Sequence, residues 1–396
     1  MIAKTINTSQ KIQISDLVEQ AERASQMVSQ IRLRMLAPDT VKQPPVFSLT
    51  QLANLCGIDK GQVSYRLSKC DLPNGHMNDK GSRREFSLQD ARTWVQHYRA
   101  ANMRPEGAQG VTIAVGNFKG GVSKTTTAMV LAQGLSLRGH KVLVIDADPQ
   151  GSLTTLFGIM PDTEVTEAQT IAPLVFGETT SIRSSIQSTY WEGVDLVAAS
   201  SSLFSAEFVL PSRQLRDPSF QFWDVLNLGL EDIRDEYDII IIDTSPSLSY
   251  VTVNAFMAAD ALIVPLPPNA LDFASSAQFW SLFSDMASNL VESAGITKTY
   301  DFIHVLLARV DSADVASDVV RSWIIATYGE KVLPVEIPKT AVTSSSSAEF
   351  GTVYDISRYD GNMKTYGRAR DAYDRVNDLV EVSIRNSWTS QLSEGV

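Results

Sequence analysis

Six apolar runs rich in valine and isoleucine constrain the fold more than any other feature of this chain. They read VTIAVGNF, KVLVIDAD, VDLVAAS, YDIIIIDT, ALIVPLPP and IHVLLARV, and helical segments separate them. A strand with one face in water alternates apolar and polar residues, whereas these runs do not alternate. Strands buried on both faces need helices above and below the sheet. We therefore predict an α/β fold with a doubly wound, mostly parallel sheet.

The part of the chain before these runs differs in charge. Residues 1–106 carry a net charge of +5, whereas the rest of the chain carries −16, and the stretch ANMRPEGAQG between them is typical of a linker. Because phosphate attracts Lys and Arg, a basic N-terminal part on an acidic body favours contact with nucleic acid there. We predict three regions: an N-terminal helix in residues 1–38, a DNA-binding domain in 39–106, and an α/β domain in 107–396.

Several classes of protein are disfavoured by composition. The 396 residues include two cysteines, not in a Cys-x-x-Cys pair, and four scattered histidines. This spacing argues against a disulfide scaffold and against a zinc site. The sequence has neither a signal-peptide pattern at its start nor an apolar run long enough to span a membrane. A cytoplasmic protein is expected.

The first long segment predicts an amphipathic helix. Residues 11–36 contain no Gly or Pro, and apolar residues recur mostly at steps of three and four. Two interpretations remain open at this point. The apolar stripe could pack on its own domain, or it could form a dimerisation arm.

Residues 39–106 show the spacing of a winged helix-turn-helix. A helix capped by Ser48 or Thr50 is followed by a tight turn at Gly57 and a second helix over residues 59–69. Ala53 and Val63 occupy the positions where the two helices pack. Asn74-Gly75 and Lys80-Gly81 bracket a predicted β-wing, and Ser87 caps a further helix through Tyr98.

The residues expected to contact operator DNA lie on the second helix and on the wing. Polar and aromatic side chains on that helix can reach base edges, and two arginines on the wing can contact phosphate or the minor groove. They are Lys60, Gln62, Ser64, Tyr65 and Arg66 on the helix, and Arg83 and Arg84 on the wing.

A glycine-rich loop follows the first apolar run. Residues 116–127 read GNFKGGVSKTTT and precede a predicted helix through Arg138. Gly120 and Gly121 allow backbone N–H groups to turn toward phosphate, and the helix N-terminus adds partial positive charge. Lys124 is predicted to bridge the β- and γ-phosphates. The loop departs from the pattern G-x-x-x-x-G-K-[ST], because Ser123 stands where a glycine is expected.

Three carboxylates follow two other apolar runs. Asp146 and Asp148 close KVLVIDAD, and Asp243 closes YDIIIIDT. The carboxyl ends of parallel strands meet at one edge of a sheet, where ligands bind in such folds. These side chains, with the Thr125 hydroxyl, therefore predict a site for Mg²⁺ bound to the phosphates of a nucleotide.

The segments KGGVSKTTT, VLVIDADPQGS and YDIIIIDTSPSL together resemble the deviant P-loop ATPases of the ParA/MinD group, over roughly residues 110–360. The resemblance implies ATP or ADP and Mg²⁺ as cofactors. It also implies a nucleotide-sandwich homodimer in which Lys119 reaches the phosphates bound by the other subunit, as an arginine finger does.

The resemblance also assigns roles to the other site residues. Asp146 and Thr125 would hold the magnesium shell, Asp148 would orient the attacking water, and Asp243 would support the metal and catalysis. The stretch at residues 265–276, PLPPNALDFASS, resembles the loop that lines the adenine side. The nucleotide-binding residues are then Lys119, Gly120, Gly121, Val122, Ser123, Lys124, Thr125, Thr126, Pro267 and Pro268.

A helix and a winged domain before such an ATPase resemble the long plasmid partition ATPases that also repress their own operon. This implies a partition ATPase with operator DNA, non-specific nucleoid DNA and a centromere-bound ParB-type protein as partners. Lys339 and Arg358 are candidates for non-specific DNA contact. No membrane partner is expected, because the C-terminal residues do not form a basic amphipathic pattern.

Two other functions compete with this one. The chain could be a sequence-specific repressor in which nucleotide only sets the conformation. A P-loop kinase or synthetase would need a pocket for a small-molecule acceptor, for which the sequence gives no pattern.

Overall fold

The computed structural model describes residues 11–36, 41–69, 71–78, 80–295, 297–339, 351–356 and 363–394. The chain divides into two compact units, Met1–Gln43 and Pro44–Val396. The predicted boundary at residue 107 lies inside the second unit. None of the helices in the described ranges is long and apolar enough to cross a membrane.

The first unit contains one helix, α1 (Ile14–Leu36). It confirms the helix predicted for residues 11–36 and begins three residues later. The Gln13 N–H donates to the Asp16 carboxylate at 2.8 Å, which satisfies one N–H at the start of the helix. Apolar side chains of α1 are between 40% and 80% exposed, among them Ile14, Leu17, Met27 and Val28. The role of this stripe stays a prediction.

We call residues 44–106 the head. Its helices are α2 (Leu49–Cys56), α3 (Lys60–Lys69) and α4 (Leu88–Tyr98), and its strands are β1 (Phe47–Ser48), β2 (His76–Met77) and β3 (Arg84–Phe86). The strands pair antiparallel in the order β1, β3, β2. Leu52, Val63 and Trp94 are fully buried between these elements. The predicted helices and wing strands of this region are therefore present.

The caps of the head helices follow the predicted chemistry. Ser48 forms a capping box with Gln51, and Gly57 ends α2 in the left-handed conformation at φ 68°. Ser87 caps α4 through the Asp90 N–H. α3 begins at Lys60 because Asp59 lies at its start, where its carboxylate accepts the Gln62 N–H at 2.8 Å.

The α/β part contains an eight-stranded sheet in the order β11, β10, β9, β4, β8, β5, β7, β6. All neighbours are parallel except β6 and β7. The strands are β4 (Val111–Val115), β5 (Val142–Asp146), β6 (Gln187–Ser188), β7 (Val194–Val197), β8 (Ile239–Asp243), β9 (Ala261–Leu266), β10 (Phe302–Val310) and β11 (Val332–Pro338). The doubly wound sheet is confirmed, and each of the six apolar runs supplies a strand.

Helices cover both faces of this sheet. They are α5 (Lys124–Leu137), α6 (Ser152–Leu156), α7 (Pro161–Glu164), α8 (Ala172–Phe176), α9 (Ala206–Arg216), α10 (Val225–Leu230), α11 (Tyr250–Ala258), α12 (Ala270–Ala294), α13 (Val315–Tyr328) and α14 (Met363–Glu394). Ile239 and Ile241 of β8 belong to the core formed with α5 and α14, whereas Ile240 and Ile242 face α8 to α11. This division explains why the strand sequences do not alternate.

The head docks on the C-terminal end of α5. The buried Arg92 guanidinium donates to the carbonyl of Ser136, to its hydroxyl at 2.7 Å and to the His140 carbonyl at 2.9 Å. Arg99 forms an ion pair with Glu381 of α14 at 2.6 Å, and Glu381 also accepts a hydrogen bond from His140 Nε2 at 2.8 Å. The head, α5 and α14 are thereby joined by buried charged and polar groups.

Candidate nucleotide site

The loop between β4 and α5 contains two residues in the left-handed conformation. Gly121 has φ 74°, and Ser123, the residue before α5, has φ 76°. The serine thus keeps the left-handed conformation that favours glycine, at a cost of about 1–2 kcal/mol. Strain of this kind persists where the surrounding structure requires it. The departure from the glycine pattern has changed the residue without changing the backbone.

Lys124 is the first residue of α5 and is held inside this loop. Its side chain is buried, and its Nζ donates to the Lys119 carbonyl at 2.9 Å. Burial lowers the pKa of Lys124, while Asp243 and Asp148 raise it. The ammonium therefore lies among the loop and two carboxylates, where a phosphate would be its natural counter-ion.

The three predicted carboxylates come together at the ends of β5 and β8. In the register of the sheet Asp146 is directly opposite Asp243. Asp146 accepts the Thr154 N–H and hydroxyl at 2.8 and 2.7 Å, and the Asp148 N–H at 3.2 Å. Asp148 accepts the Gln150 N–H at 3.0 Å. Asp146 is thus oriented by its own chain, and Asp148 caps the following turn.

Asp243 differs from the other two in its hydrogen bonding. It is fully buried, and neither of its oxygens accepts a normal hydrogen bond from the residues that the structure describes. Burial, and then the neighbouring Asp146, hold the pKa of Asp243 well above its ordinary value. Burial likewise raises the pKa of Asp146. The Thr125 hydroxyl and Lys124 lie close enough to Asp243 to oppose the rise in part.

These residues fit a bound Mg²⁺. A buried, unpaired carboxylate beside a second carboxylate is stabilised when a cation replaces its proton. Within the described ranges no three His, Cys, Asp or Glu side chains form a complete metal cage. Mg²⁺ bound through one or two carboxylates, water and nucleotide phosphates needs no such cage.

The Lys119 side chain extends from the loop toward Asp272. Its side chain is 42% exposed, and its Nζ lies 3.8 Å from Asp272 in the first turn of α12. The Lys119 N–H donates to the Asn117 side chain at 3.2 Å. Its backbone therefore belongs to the loop, while its ammonium is available to a group outside it.

The proline-rich loop lies next to the phosphate loop. Asn117 is buried and donates to the Pro265 carbonyl at 2.9 Å, so it joins the two loops. Pro267 and Pro268 are both buried, and their contact with adenine stays a prediction. Sequence reasoning missed Asn117 and Asp272. Asn117 stood inside the quoted loop, and its type, an amide between two strand ends, was the available signal.

The residues predicted to contact operator DNA differ in exposure and in whether they already have a partner within the head. Lys60, Ser64 and Tyr65 of α3 and Arg83 of the wing are exposed. Arg66 forms an ion pair with Asp71 at 2.6 Å, and Arg84 donates to the Asn74 carbonyl at 2.5 Å. The Gln62 side chain accepts the Asp59 N–H at 3.1 Å. Gln62, Arg66 and Arg84 therefore have partners within the head, and the contact of all these residues with DNA stays a prediction.

The two candidates for non-specific DNA contact lie far along the chain. Lys339 follows β11 directly, its side chain is 59% exposed, and its ammonium lies 3.5 Å from Asp311. Arg358 lies outside the described residues.

Comparison with known proteins agrees with this geometry. Residues 110–296 match a family model described as an AAA domain. A "Putative replication protein A" of Rhizobium rhizogenes is 30% identical over 381 residues, which cover 93% of this chain and 94% of the relative. The chromosome partitioning protein ParA of Caulobacter vibrioides is 31% identical over 271 residues, covering 67% of this chain and 95% of that protein. This chain belongs to the ParA family of partition ATPases.

Solved structures extend the likeness. A protein titled partition protein aligns with a TM-score of 0.66 at 19% identity, over 94% of this chain and 98% of its own, and so shares the fold. Cobyrinic acid a,c-diamide synthase from Mycobacterium smegmatis, solved with a bound ATP analogue and magnesium, aligns with a TM-score of 0.53 at 28% identity. It covers 68% of this chain and 93% of its own. The fold of that partition protein thus extends over nearly the whole chain.

Proposed function

We propose that this chain hydrolyses ATP to move DNA, as a partition ATPase. The observation that carries the proposal is the buried, unpaired Asp243 beside Lys124 and the phosphate loop. A carboxylate and an ammonium placed there serve a magnesium-bound triphosphate and have no equivalent role in packing. Mg²⁺, when bound, neutralises charge on the β- and γ-phosphates.

The residues of the site then take separate roles. Lys124 contacts the β- and γ-phosphates, and Thr125, Asp146 and Asp243 hold the metal. Asp148 orients the attacking water. Gly120, Gly121, Val122, Ser123 and Thr126 surround the phosphates, and Pro267 and Pro268 line the adenine.

Lys119 completes the site only in a homodimer. Its half-exposed side chain lies beside Asp272, and a second subunit packed on this face would receive it. Transfer of Lys119 from Asp272 to the partner's phosphates supplies positive charge where charge develops during hydrolysis.

The head binds operator DNA in this proposal, and the acidic body binds nucleoid DNA without sequence preference. Tyr65, which is 61% exposed, and Lys60 and Arg83 are the freest contacts. Arg66, Gln62, Ser64 and Arg84 complete the operator surface. Lys339 contributes to non-specific binding, and Arg358 is a further candidate outside the described residues.

The deciding experiment measures ATP hydrolysis with and without DNA and the ParB-type protein of the same operon. A partition ATPase is stimulated when the partner is bound to its centromere. Turnover that stays unchanged would favour the second candidate, a nucleotide-controlled repressor, provided that footprinting shows operator binding. Replacement of Tyr65 by Ala should weaken the footprint, whereas the same change at exposed Phe208, outside the head, should not.

A further inference from the structure

The strand β10 departs from regular geometry just before it ends. Its pairing with β11 shifts register between Leu307 and Val310. Between these residues Arg309 has φ 55°, and in the described part of the chain only Ser123 shares this property among non-glycine residues. A left-handed residue costs about 1–2 kcal/mol, so something in the structure must hold it there.

The irregularity redirects the Arg309 side chain. In a regular strand Arg309 would lie on the same face as Val305 and Leu307, which are buried in an apolar cluster with Val320 and Ile324. A guanidinium among these side chains would be costly. The left-handed turn instead brings Nη1 to the Gly121 carbonyl in the phosphate loop, at 2.6 Å.

Arg309 is therefore one of two cations that hold carbonyls of this loop. Lys124 holds the Lys119 carbonyl, and Arg309 holds the Gly121 carbonyl. In a trans peptide the carbonyl and the following N–H point in opposite directions. The Gly120 and Val122 N–H groups belong to the same peptide units, so fixing these two carbonyls also fixes the orientation of N–H groups that can form an anion-binding nest.

We propose that Arg309 is a positioning residue of the nucleotide site, which presets the phosphate loop and so raises its affinity for ADP and ATP. The inference rests on the proposed function, because the loop must bind nucleotide for it to matter. Arg309 lies 188 residues from Gly121 along the chain and outside the motifs of the family.

The test must separate the effect of losing the guanidinium from the effect of disturbing the left-handed backbone at residue 309. Gly and Asn tolerate the left-handed conformation, so Arg309→Gly and Arg309→Asn remove the side chain without adding strain. Both should bind a fluorescent ADP analogue about tenfold more weakly than the parent, as expected for one lost charged hydrogen bond. Their melting temperatures without nucleotide should stay close to that of the parent.

Arg309→Lys tests whether the loop needs a cation at this position or only a long side chain. It keeps the charge and N–H donors, and it should lose less affinity than Arg309→Asn. Arg321→Gln is the matched control, because it removes a half-buried arginine of α13 that pairs with Glu336 on β11. Its nucleotide affinity should equal that of the parent.

Several outcomes would overturn the proposal. Parental affinity of Arg309→Gly and Arg309→Asn, with binding lost in Lys124→Ala, would remove the role of Arg309 and leave the nucleotide site intact. Equal losses in Arg309→Lys and Arg309→Asn would show that the loop does not need a cation there. Parental nucleotide affinity with weakened DNA binding would make Arg309 a DNA contact. Parental binding by Lys124→Ala would instead refute the nucleotide site itself.

Discussion

The two ends of α5 are both crowded with charge, but they differ in whether that charge is satisfied. At the C-terminal end, Arg92 is buried and donates to the Ser136 and His140 carbonyls. At the N-terminal end, the buried Asp243 accepts no well-formed hydrogen bond in the described part of the chain, and only the nearby Thr125 hydroxyl and Lys124 offset its charge. Buried polar groups with partners stabilise the fold, whereas a buried carboxylate without a well-formed hydrogen bond can be satisfied by a bound cation. One helix therefore joins a structural contact to a binding site.

The largest effect is expected at Lys119, near the N-terminal end of α5. Its ammonium makes its contact with Asp272 rather than with the phosphate loop. Lys119→Ala should still bind nucleotide, because Lys124 remains. Hydrolysis should fall by about 10³-fold, as for loss of a cation that acts on the transition state in trans. Steady-state ATPase assays and nucleotide titration of the same preparation check both statements.

Mixing this variant with Asp148→Ala tests the action across subunits. A heterodimer has one site with both residues intact and one site with both lost. Activity should reappear in the mixture, at a level set by the fraction of heterodimers. If dimers form and activity does not return, Lys119 does not act on the other subunit.

At the C-terminal end of α5, removal of the Arg92 side chain is expected to lower the stability of the protein. Arg92→Ala leaves buried carbonyls at Ser136 and His140 without their donor, and we expect a loss of about 3 kcal/mol in the free energy of unfolding. Urea unfolding measures it. The exposed Arg183, which pairs with Asp232 and Glu236, is the control, and Arg183→Ala should change the midpoint little. An Arg92→Ala midpoint equal to that of the parent would remove the contrast between the two ends of α5.

The opposite result is expected for Lys124→Ala, which should weaken binding with little effect on folding. Its ammonium is the cation closest to the phosphates in its own loop, and we expect nucleotide affinity to fall about 100-fold or more. Titration with a fluorescent ATP analogue measures the loss. Lys141→Ala removes a lysine that lies over the Tyr237 ring and should bind like the parent. Equal affinities of Lys124→Ala and Lys141→Ala would contradict the role of Lys124.

The sequence predicts most of the fold because the central strands are buried on both faces. Two edge strands were missed: β6 has only two residues, and β11 alternates and contains Pro334, a pattern that is weaker than a continuous apolar run. The docking of the head was also missed. Arg92 has the sequence context of an ordinary surface residue on α4, and only the tertiary fold places it against α5.

The candidate site shows the same limit. Lys124, Asp146, Asp148 and Asp243 stand in short motifs, so their types and spacing were enough to find them. Arg309 and Asp272 act on loop residues far from them in sequence. Contacts of that kind depend on how strands are ordered in the sheet, which spacing along the chain does not encode.

The smallest expected effect concerns the unpaired charge of Asp243. Its pKa is raised in the folded protein, so the nucleotide-free parent loses stability as pH rises from about 4, the ordinary pKa of Asp, through the raised value. Asp243→Asn removes this loss of stability, and it also removes the charge repulsion between Asp243 and Asp146. Without nucleotide near neutral pH we expect the variant to be more stable than the parent by about 1 kcal/mol, a difference that shrinks toward pH 4.

Mg²⁺ and ATP should reverse that order. The bound metal favours the ionised Asp243 of the parent, so the parent gains more stability from ligand than Asp243→Asn does. Urea unfolding of both proteins, at acidic and neutral pH and with and without Mg-ATP, measures the difference in stability between them under each of the four conditions. Asp162→Asn, an exposed carboxylate on α7, should follow the parent throughout. If Asp243→Asn were no more stable than the parent at neutral pH and gained as much from Mg-ATP, Asp243 would be an ordinary buried residue and the two ends of α5 would not differ in kind.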